Sequence, residues 1–324
     1  LMEKYNRYDM ETDFEYKFRL CKDKINKTID LDWSEIVSIL NLDVSADHLR
    51  KTAYGMVEYD NYINGFSGVA TRILSISDLH IPFQLPITTF CDYVGNVDIL
   101  QINGDILDCQ SLSKFPKQYR ISPMDEMVEA RKYLIDLIEY IKPKETFVNY
   151  GNHDIRLGAY LAKHLDTDVN ALLPNTSLES IIDEGFYYHD KRNGSKTYYE
   201  PLTKVLQSKI TYINDWKCKI GKTWFVHPLA YKQGSLATCE KAMDYLHRTE
   251  IEPFDSIVMA HTHKVGETKK GFINLYEQGT CSDIDKLHYM DGRLTDPQKQ
   301  GFMYVCQNKD GSLIKDKTKV IVLN

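Results

Sequence analysis

The chain has 324 residues, of which 43% are hydrophobic and 27% are charged, and its formal net charge is −6. This balance is ordinary for a globular protein, and it excludes a general electrostatic attraction to nucleic acid or to an anionic membrane. No hydrophobic run approaches the length of a membrane span, and the charged N-terminal stretch does not resemble a signal peptide. Seven scattered cysteines without a C-x-x-C pair favour a reducing, cytoplasmic location.

The N-terminal part of the chain has helical patterning. A helix is expected to begin after Asp32, which forms a capping box with Glu35, and hydrophobic residues at helical spacing give it one buried face. A second helix is expected to begin at Ser45 and to end at Gly55. Two short helices joined by a tight turn resemble a helix-turn-helix unit. Residues 1–66 are therefore predicted to form a small helical module.

From residue 72 to residue 324, short hydrophobic runs alternate with turns and helices. Five runs are suited to buried strands: Ile73–Ser77, Val97–Ile102, Thr146–Tyr150, Thr223–Val226 and Ser256–Ala260. The clearest helix is Pro123–Ile141, with Ser122 as its N-cap and proline at its first position. Near the C-terminus, two hydrophobic runs flank Asp310-Gly311, which is a hairpin signal. Together these elements predict an α/β fold, a β-sandwich flanked by helices.

Each of the five predicted strands leads directly into a polar cluster. The clusters are Asp78-Leu79-His80, Asn103-Gly104-Asp105-Ile106-Leu107-Asp108, Gly151-Asn152-His153-Asp154, His227-Pro228 and His261-Thr262-His263. In α/β sheets, ligands collect at the carboxyl ends of strands, so these clusters are expected to converge on one site. A mixed set of carboxylate, amide and imidazole ligands suits manganese, iron or zinc better than calcium or magnesium.

The order D-x-H, G-D-x-x-D, G-N-H-D, H and H-x-H resembles the signature of the calcineurin-like metallophosphoesterase family over residues 72–324. The resemblance implies a metallophosphoesterase-type sandwich with two divalent ions, manganese first, with iron or zinc as alternatives. It implies one ion on Asp78, His80, Asp105 and His263, and a second ion on Asp105, Asn152, His227 and His261. Asp105 would bridge the two ions. One departure is Ala260, because the family usually has glycine before H-x-H.

The same resemblance implies a mechanism, hydrolysis of a phosphoester by a hydroxide held between the two ions. It assigns His153 to protonation or stabilisation of the leaving oxygen, with Asp154 orienting the His153 ring. Asp108 is expected to contact the ligands rather than an ion. Arg156 lies two residues after the G-N-H-D motif and is assigned to a phosphate of the substrate.

The substrate class rests on a second feature, a segment in which basic and aromatic residues alternate. Residues 186–222 contain seven lysines and one arginine against three acids, a net charge of +5, together with seven aromatic residues. Lysines can hold phosphates while aromatic rings stack on bases, so this composition favours a nucleic-acid substrate. The alternative is an insertion whose aromatic residues pack together and whose lysines are solvated.

The N-terminal module gives weaker support for DNA binding. Residues 1–66 carry nine basic and thirteen acidic residues, a net charge of −4, although Arg50, Lys51 and Tyr54 form a small basic group. A helical module before the catalytic domain is similar to phage-encoded and repair-associated members of the family that are described as nuclease-like. Such a protein would act in the host cytoplasm if it is phage-encoded.

Three hypotheses follow. The leading hypothesis is a phosphodiesterase that acts on DNA or RNA. No membrane partner is expected, and a homo-oligomer is possible. The second is a hydrolase of nucleotides or other small phosphoesters. The third is a metal-stabilised regulator that binds DNA or protein without catalysis, and the presence of His153 and Asp154 beside the metal ligands argues against it.

Overall fold

The computed structural model describes residues 5–7, 11–25, 27–66, 69–113, 121–170, 173–174, 176–191, 193–287 and 297–323. Contacts within the chain divide it into two compact units, Leu1–Val69 and Ala70–Asn324. Within the described ranges, no helix combines the length and the hydrophobicity needed to cross a membrane.

The first unit contains three helices, α1 (Asp13–Ile25), α2 (Trp33–Ile39) and α3 (Ala46–Phe66). The predicted capping box is present at the start of α2. The Glu35 N–H donates to Asp32 Oδ1 at 2.8 Å, and the Asp32 N–H donates to Glu35 Oε2 at 2.6 Å. The three helices bury a small core that includes Leu20, Ile36 and Leu49.

The prediction that the second helix ends at Gly55 is wrong, because α3 continues to Phe66. The start of the helix agrees with the sequence, since Ser45 Oγ accepts the His48 N–H at 3.2 Å. Glycine lowers helix stability by only about 1 kcal/mol. Val57, in the turn after the glycine, is buried, and its burial favours continuation of the helix.

The second unit contains strands and helices in alternation. The strands are β1 (Thr71–Ile76), β2 (Ile99–Asn103), β3 (Glu145–Asn149), β4 (Phe186–His189), β5 (Lys196–Tyr199), β6 (Lys209–Ile213), β7 (Lys217–Ile220), β8 (Thr223–Val226), β9 (Ser256–Met259), β10 (Val265–Lys270), β11 (Ile273–Gln278), β12 (Gly301–Gln307) and β13 (Lys319–Val322). The helices are α4 (Pro123–Ile141), α5 (Arg156–His164), α6 (Thr167–Asn170), α7 (Ser177–Glu179), α8 (Leu202–Val205) and α9 (Ala237–Thr249). Shorter helical turns cover Ile87–Tyr93, Gln110–Leu112, Ser180–Glu184 and Lys315–Lys317.

Two sheets face each other and confirm the predicted sandwich. One sheet has the order β13-β12-β1-β2-β3-β6, and the other has the order β10-β11-β9-β8-β7. The core between them includes Ile73, Phe225, Val258, Tyr276 and Met303. Helix α4 packs on the outer face of the first sheet and α9 on the outer face of the second, so each sheet is covered on both sides.

The predicted strands that lead into the polar clusters are all present as β1, β2, β3, β8 and β9. Their ends lie within two residues of the prediction, and α4 has the predicted bounds. Ser122 occupies the N-cap of α4, although its side chain makes no capping hydrogen bond. The C-terminal hairpin is also present, but β13 begins at Lys319 because a helical turn interrupts the chain after Leu313.

A chain of buried amides runs through the sandwich, where hydrophobic side chains would be expected. Ser75 Oγ donates to Gln101 Oε1 at 2.8 Å, and Gln101 Nε2 donates to Asn149 Oδ1 at 2.6 Å. Asn149 Nδ2 donates to Asn103 Oδ1 at 3.0 Å, and Asn103 Nδ2 donates to the Val226 carbonyl of the other sheet at 3.2 Å. These bonds offset the cost of burying polar groups and join β1, β2 and β3 to β8.

Glu126 is a buried carboxyl in the first turn of α4, with 1% of its surface exposed. Its Oε2 accepts the Cys109 N–H at 2.7 Å, which fixes the residue after Asp108. Burial raises the pKa of Glu126 to about 8, although the Cys109 hydrogen bond opposes the shift.

Replacing Glu126 with glutamine should flatten the pH dependence of folding stability. The unfolded carboxyl ionises near pH 4.5 and the folded one near pH 8, so the folded state retains the proton and loses stability as the pH rises through this window. Between pH 5 and pH 8, the stability of Glu126→Gln relative to wild type should rise by about 3 kcal/mol. Urea unfolding in the presence of EDTA measures this difference. Glu139→Gln, on an exposed position of α4, is the control, and equal slopes for the three proteins would contradict the assignment.

Candidate metal centre

The polar clusters at the strand ends converge as the sequence predicts. Among the described residues, three groups place their potential ligand atoms within 4.8 Å of one another. The groups are Asp78, His80 and His263; Asp105, His227 and His261; and His80, Asp108 and His153. Six of these eight side chains are buried, which is unusual for so many ionisable groups.

The first group is built from the loops after β1 and β9. Asp78 Oδ1 lies 3.2 Å from His263 Nε2, and His80 Nε2 lies 3.0 Å from the same nitrogen. Asp105 Oδ2, from the loop after β2, is 4.0 Å from His80 Nε2. The four residues predicted to hold one ion therefore face a common point.

The second predicted ligand set shares Asp105 with the first predicted set. Asp105 Oδ2 lies 3.2 Å from His227 Nε2, and the rings of His227 and His261 are 5.3 Å apart between centroids. Asn152 Oδ1 is buried and has no hydrogen-bond partner among the described residues. Asp105 thus has His80 on one side and His227 on the other, as a bridging ligand requires.

The hydrogen bonds on the outer side of each imidazole show that these residues fit divalent ions. His227 Nδ1 donates to the Asn103 carbonyl and His263 Nδ1 to Gln298 Oε1, both at 2.7 Å. When these rings are neutral, their Nε2 atoms therefore carry the lone pairs and are available to a metal ion. His263 Nε2 lies 3.0 Å from His80 Nε2 and 3.2 Å from Asp78 Oδ1, so the three atoms would fit around one ion. Asp78 Oδ1 and His227 Nε2, which make no hydrogen bond within the described ranges, offer further ligand atoms.

The charges of the centre lead to the same conclusion. Burial would raise the pKa of Asp78, but His263 and His227 outweigh burial and lower it to about 2. Burial would likewise lower the pKa of His227, but Asp105 and Asp78 raise it to about 10. The carboxylates thus stay ionised and attract positive charge, and bound cations would supply this charge in place of protons.

The ligands are aimed by an uncommon backbone conformation. Positive φ angles occur at Asp78 (+51°), His80 (+46°), Asp105 (+51°), His261 (+81°) and His263 (+55°). Left-handed conformations cost non-glycine residues about 1–3 kcal/mol each and are concentrated at functional sites. In the H-x-H segment the positive φ falls on the histidines and not on Ala260, so alanine is tolerated at this position.

Two glycines allow the loops to approach each other. A Cβ atom on Gly104 would lie 2.6 Å from His227 Nδ1, and a Cβ atom on Gly151 would lie 2.2 Å from Asp105 Oδ1. Neither position can hold a larger side chain without displacing a predicted ligand. The glycines of the G-D and G-N-H-D motifs are therefore explained by the space that the metal ligands need.

His153 lies beside the ligands and contacts Asp108 and Arg156. Its Nδ1 is 2.8 Å from the Asp108 carbonyl oxygen, and its Nε2 is 3.8 Å from Asp105 Oδ2. Asp108 Oδ1 lies 3.3 Å from His80 Nδ1 and 3.2 Å from His153 Nδ1. Asp108 therefore lies between a predicted ligand and the predicted catalytic histidine.

Asp154 does not orient the His153 ring, contrary to the sequence-based expectation. Its Oδ1 accepts the N–H groups of Ile106 and Leu107 at 3.1 Å, and its Oδ2 accepts the Gly151 N–H at 2.9 Å. The side chain points away from the ring because three backbone donors surround it. It joins the loops after β2 and β3 and so fixes the position of Asp105 between them.

Arg156 begins α5 and contacts the same histidine. Its Nη1 donates to the Asp108 carbonyl at 2.8 Å, and its Nη2 lies 2.9 Å from His153 Nε2. The guanidinium group thus stands next to the catalytic candidate, and its contact with a substrate phosphate stays a prediction.

Sequence reasoning missed the residues that support the ligands through hydrogen bonds. Asn103 could have been found, because it precedes the Gly-Asp motif at the end of β2. Gln298 stands in a C-terminal loop and carries no recognisable signal. Ser77 Oγ donates to Asp78 Oδ2 at 2.6 Å, and Thr280 Oγ1 donates to the Asp78 carbonyl at 2.8 Å.

Two clusters of carboxylates and imidazoles, with Asp105 facing both, are candidate sites for divalent metal ions. The profile of the calcineurin-like phosphoesterase family matches residues 71–265, and the chain belongs to this family. The family uses divalent metal ions, and the clustered histidines and aspartates are the candidate ligands in this chain. The family assignment made from the motifs is thus confirmed.

Solved structures with a similar fold include three from different sources. A structure described as a novel archaeal phosphodiesterase has 15% identity, covers 78% of this chain and 99% of its own, and gives a TM-score of 0.32. Vps29 from Entamoeba histolytica in complex with zinc has 13% identity, with 78% and 98% covered and a TM-score of 0.35. A predicted phosphoesterase from Streptococcus pneumoniae has 13% identity, with 78% and 98% covered and a TM-score of 0.29. Comparison with curated proteins gave no significant match.

Replacing Gly151 with alanine should weaken metal binding, because the new methyl group would overlap Asp105 Oδ1. We expect manganese affinity to fall about 100-fold and stability to fall by about 1–3 kcal/mol. Calorimetric titration with Mn²⁺ and thermal unfolding measure the two effects. Gly266→Ala is the matched control, since its Cβ would have its nearest neighbour at an ordinary 3.5 Å. Wild-type manganese affinity in Gly151→Ala would show that the loop contact is unimportant.

Proposed function

We propose that this protein is a nuclease-like phosphodiesterase that cleaves phosphodiester bonds of nucleic acid with two divalent ions. The observation that carries the proposal is the position of Asp105, which faces both ligand groups, while His153 lies beside it without belonging to the predicted ligand set. Asp105 Oδ2 is 3.2 Å from His227 Nε2, 4.0 Å from His80 Nε2 and 3.8 Å from His153 Nε2. A purely structural metal site would have no use for the additional imidazole.

When bound, the two ions would generate a nucleophile from water and neutralise charge on the phosphoryl oxygens. The residues of the chain do the remaining work. Because His153 Nδ1 donates to the Asp108 carbonyl, Nε2 is the ring atom left to face the leaving oxygen, and it would donate a proton there from the imidazolium form once Arg156 contacts the phosphoryl group. Arg156 touches Nε2, and we assign it to the same phosphoryl group. Asp154 positions Asp105 through the backbone of the neighbouring loops.

The hairpin β4–β5 supports a nucleic-acid substrate. Tyr187 and Tyr198 are 66% and 45% exposed, and their ring centroids lie 4.9 Å apart. Lys191 and Lys196 are exposed on the same hairpin. Exposed aromatic rings beside lysines suit the stacking of bases and the pairing of phosphates.

The hairpin is connected to the metal centre through the first turn of α4. The Tyr188 hydroxyl donates to Asp125 Oδ1 at 2.8 Å, and the next residue, Glu126, holds the Cys109 N–H. Cys109 directly follows Asp108, which contacts His153. This series of contacts links the hairpin to the residues that position His153.

Fewer lysines are available to bind phosphates than the net charge of +5 for residues 186–222 suggests. Four lysines of this segment pair with carboxylates: Lys209 with Glu145 at 3.7 Å, Lys217 with Glu250 at 2.7 Å, Lys219 with Glu252 at 2.6 Å and Lys222 with Asp310 at 2.7 Å. In the N-terminal unit, Arg50 and Lys51 both pair with Asp47. The proposal therefore assigns nucleic-acid contact to the hairpin and not to the whole segment or to the helical module.

The cysteines support a reducing, cytoplasmic location for this activity. All seven are free, and six of them are buried. Burial raises the pKa of the Cys281 and Cys218 thiols to about 12, so these thiols behave as small hydrophobic groups.

Two variants separate metal binding from catalysis, assayed with Mn²⁺ on single-stranded DNA, duplex DNA, RNA, cyclic nucleotides and a phosphomonoester. Asp105→Asn should lose bound metal and at least about 100-fold in activity. His153→Ala should keep its metal and still lose about 100-fold. Asp166→Asn, on an exposed loop, is the control. Turnover of small phosphoesters without cleavage of any polynucleotide would contradict the proposed substrate class, and full activity of Asp105→Asn would contradict the metal bridge.

The hairpin can be tested with matched lysine variants. Lys196→Ala should weaken polynucleotide cleavage and reduce the slope of log KM against log salt by about one. Tyr187→Ala should raise KM about tenfold, the loss expected for one stacked base. Lys219→Ala, which removes a lysine already paired with Glu252, should leave cleavage unchanged. Steady-state kinetics on single-stranded DNA at several salt concentrations provide the measurement. An equal effect of the two lysine variants would rule out a specific role for the hairpin.

A further inference from the structure

A hydrophobic groove of about 390 Å³ opens beside the loop that follows the predicted ligand His227. Its lining consists of residues from three places in the chain: Trp216, Pro228, Leu229, Ala230, Thr238, Lys241, Ala242 and Tyr245. The volume falls within the range of small-molecule sites. Neither the metal ligands nor the hairpin β4–β5 takes part in it.

One wall is a single face of α9. Thr238, Lys241, Ala242 and Tyr245 have the spacing i, i+3, i+4 and i+7, so they point the same way from the helix. The small side chains of Thr238 and Ala242 leave the depression, and Tyr245 forms one end of it. The Tyr245 ring meets the Trp216 ring at a centroid distance of 5.6 Å and an angle of 62°.

The other wall is the loop that continues from the metal ligand His227. Pro228, Leu229 and Ala230 follow His227 directly and line the groove. The next residue, Tyr231, turns to the other side and lies 6.2 Å from the His261 ring. At the base of the groove, the Trp216 carbonyl accepts the His227 N–H at 2.8 Å. The groove and the second ligand group are therefore built on the same backbone.

We propose that this groove holds the nucleobase of the nucleotide whose phosphate is bound at the metal centre. The inference rests on the proposed function. It adds which part of the substrate the protein recognises, the base. An edge made by Trp216 and Tyr245 suits a flat aromatic group, and base–aromatic stacking is sequence-tolerant. Because the groove adjoins the loop that follows His227, it is placed to take the base of a nucleotide whose phosphate lies at the metal centre. This continuity favours a nucleotide over an unconnected hydrophobic peptide.

Equilibrium binding tests the groove without requiring catalysis. Adenosine 5′-monophosphate and ribose 5-phosphate are titrated calorimetrically into the Mn²⁺-loaded protein. Wild type should bind adenosine 5′-monophosphate about tenfold more tightly, since stacking of one base contributes 1.4 kcal/mol or more. Ala242→Leu, which fills the groove, and Tyr245→Ala, which removes its end, should abolish the preference and leave ribose 5-phosphate binding unchanged. Arg248→Ala, exposed on α9, is the matched control and should bind like wild type.

The outcomes distinguish the groove from the catalytic proposal. Equal affinities of wild type for the two ligands, or a preference that survives in Ala242→Leu and Tyr245→Ala, would overturn the assignment and leave the groove to another hydrophobic group. If the preference is found but no polynucleotide is cleaved, the groove is a nucleotide site and only the nuclease proposal fails. Loss of binding of both ligands in one variant would indicate damage to the fold, and the second variant then decides.

Discussion

The structure depends on one buried negative charge, the carboxylate of Asp105. Burying an ionised group is costly unless opposite charges and hydrogen-bond donors surround it. Asp105 Oδ1 accepts the His153 N–H at 2.7 Å, and Oδ2 lies between His227 and His80. Gly151 has to be a glycine because its backbone touches this carboxylate, and Asp154 closes the loops around it. The buried carboxylates need nearby positive charge, and divalent ions are the charges that this arrangement would best accommodate.

The interior of the sandwich contains polar side chains because they support the buried, charged ligand set. Most of the space between the sheets is hydrophobic, yet Gln101, Asn149 and Asn103 form a continuous line of amides that leads to the metal centre. The line ends where the Asn103 carbonyl accepts His227 Nδ1 at 2.7 Å. An unpaired buried amide would be costly, so each member fixes the next, and the sheets are held in the register that presents His227 to Asp105. The buried amides reduce the hydrophobic area inside the sandwich, but they hold the ligands in fixed positions.

The sequence predicts the elements whose signals are local and fails where contacts between distant residues decide. Strands β1, β2, β3, β8 and β9 and helix α4 are read from hydrophobic runs and caps, and the ligands follow because each stands at a strand end. Gly55 suggests a helix end, but the helix continues and Val57 is buried in the following turn, against a propensity of about 1 kcal/mol. The resemblance assigns Asp154 to the His153 ring, whereas its hydrogen-bond partners are backbone N–H groups of Ile106, Leu107 and Gly151. Gln298 could not be assigned, because only the fold brings it to His263.

Recognition of nucleic acid by this chain would depend more on aromatic rings than on charge. The net charge is −6, and four lysines of the basic segment are neutralised by ion pairs. Few phosphates can then be paired with free cations, so counterion release supplies little of the binding free energy. Aromatic rings are available in two places, on the hairpin β4–β5 and in the groove beside the loop that follows His227. A strand that stacks on both would have two of its bases held in fixed positions. Positioning of this kind contributes to catalysis directly, because it replaces electrostatic attraction with a defined geometry at the reacting phosphorus.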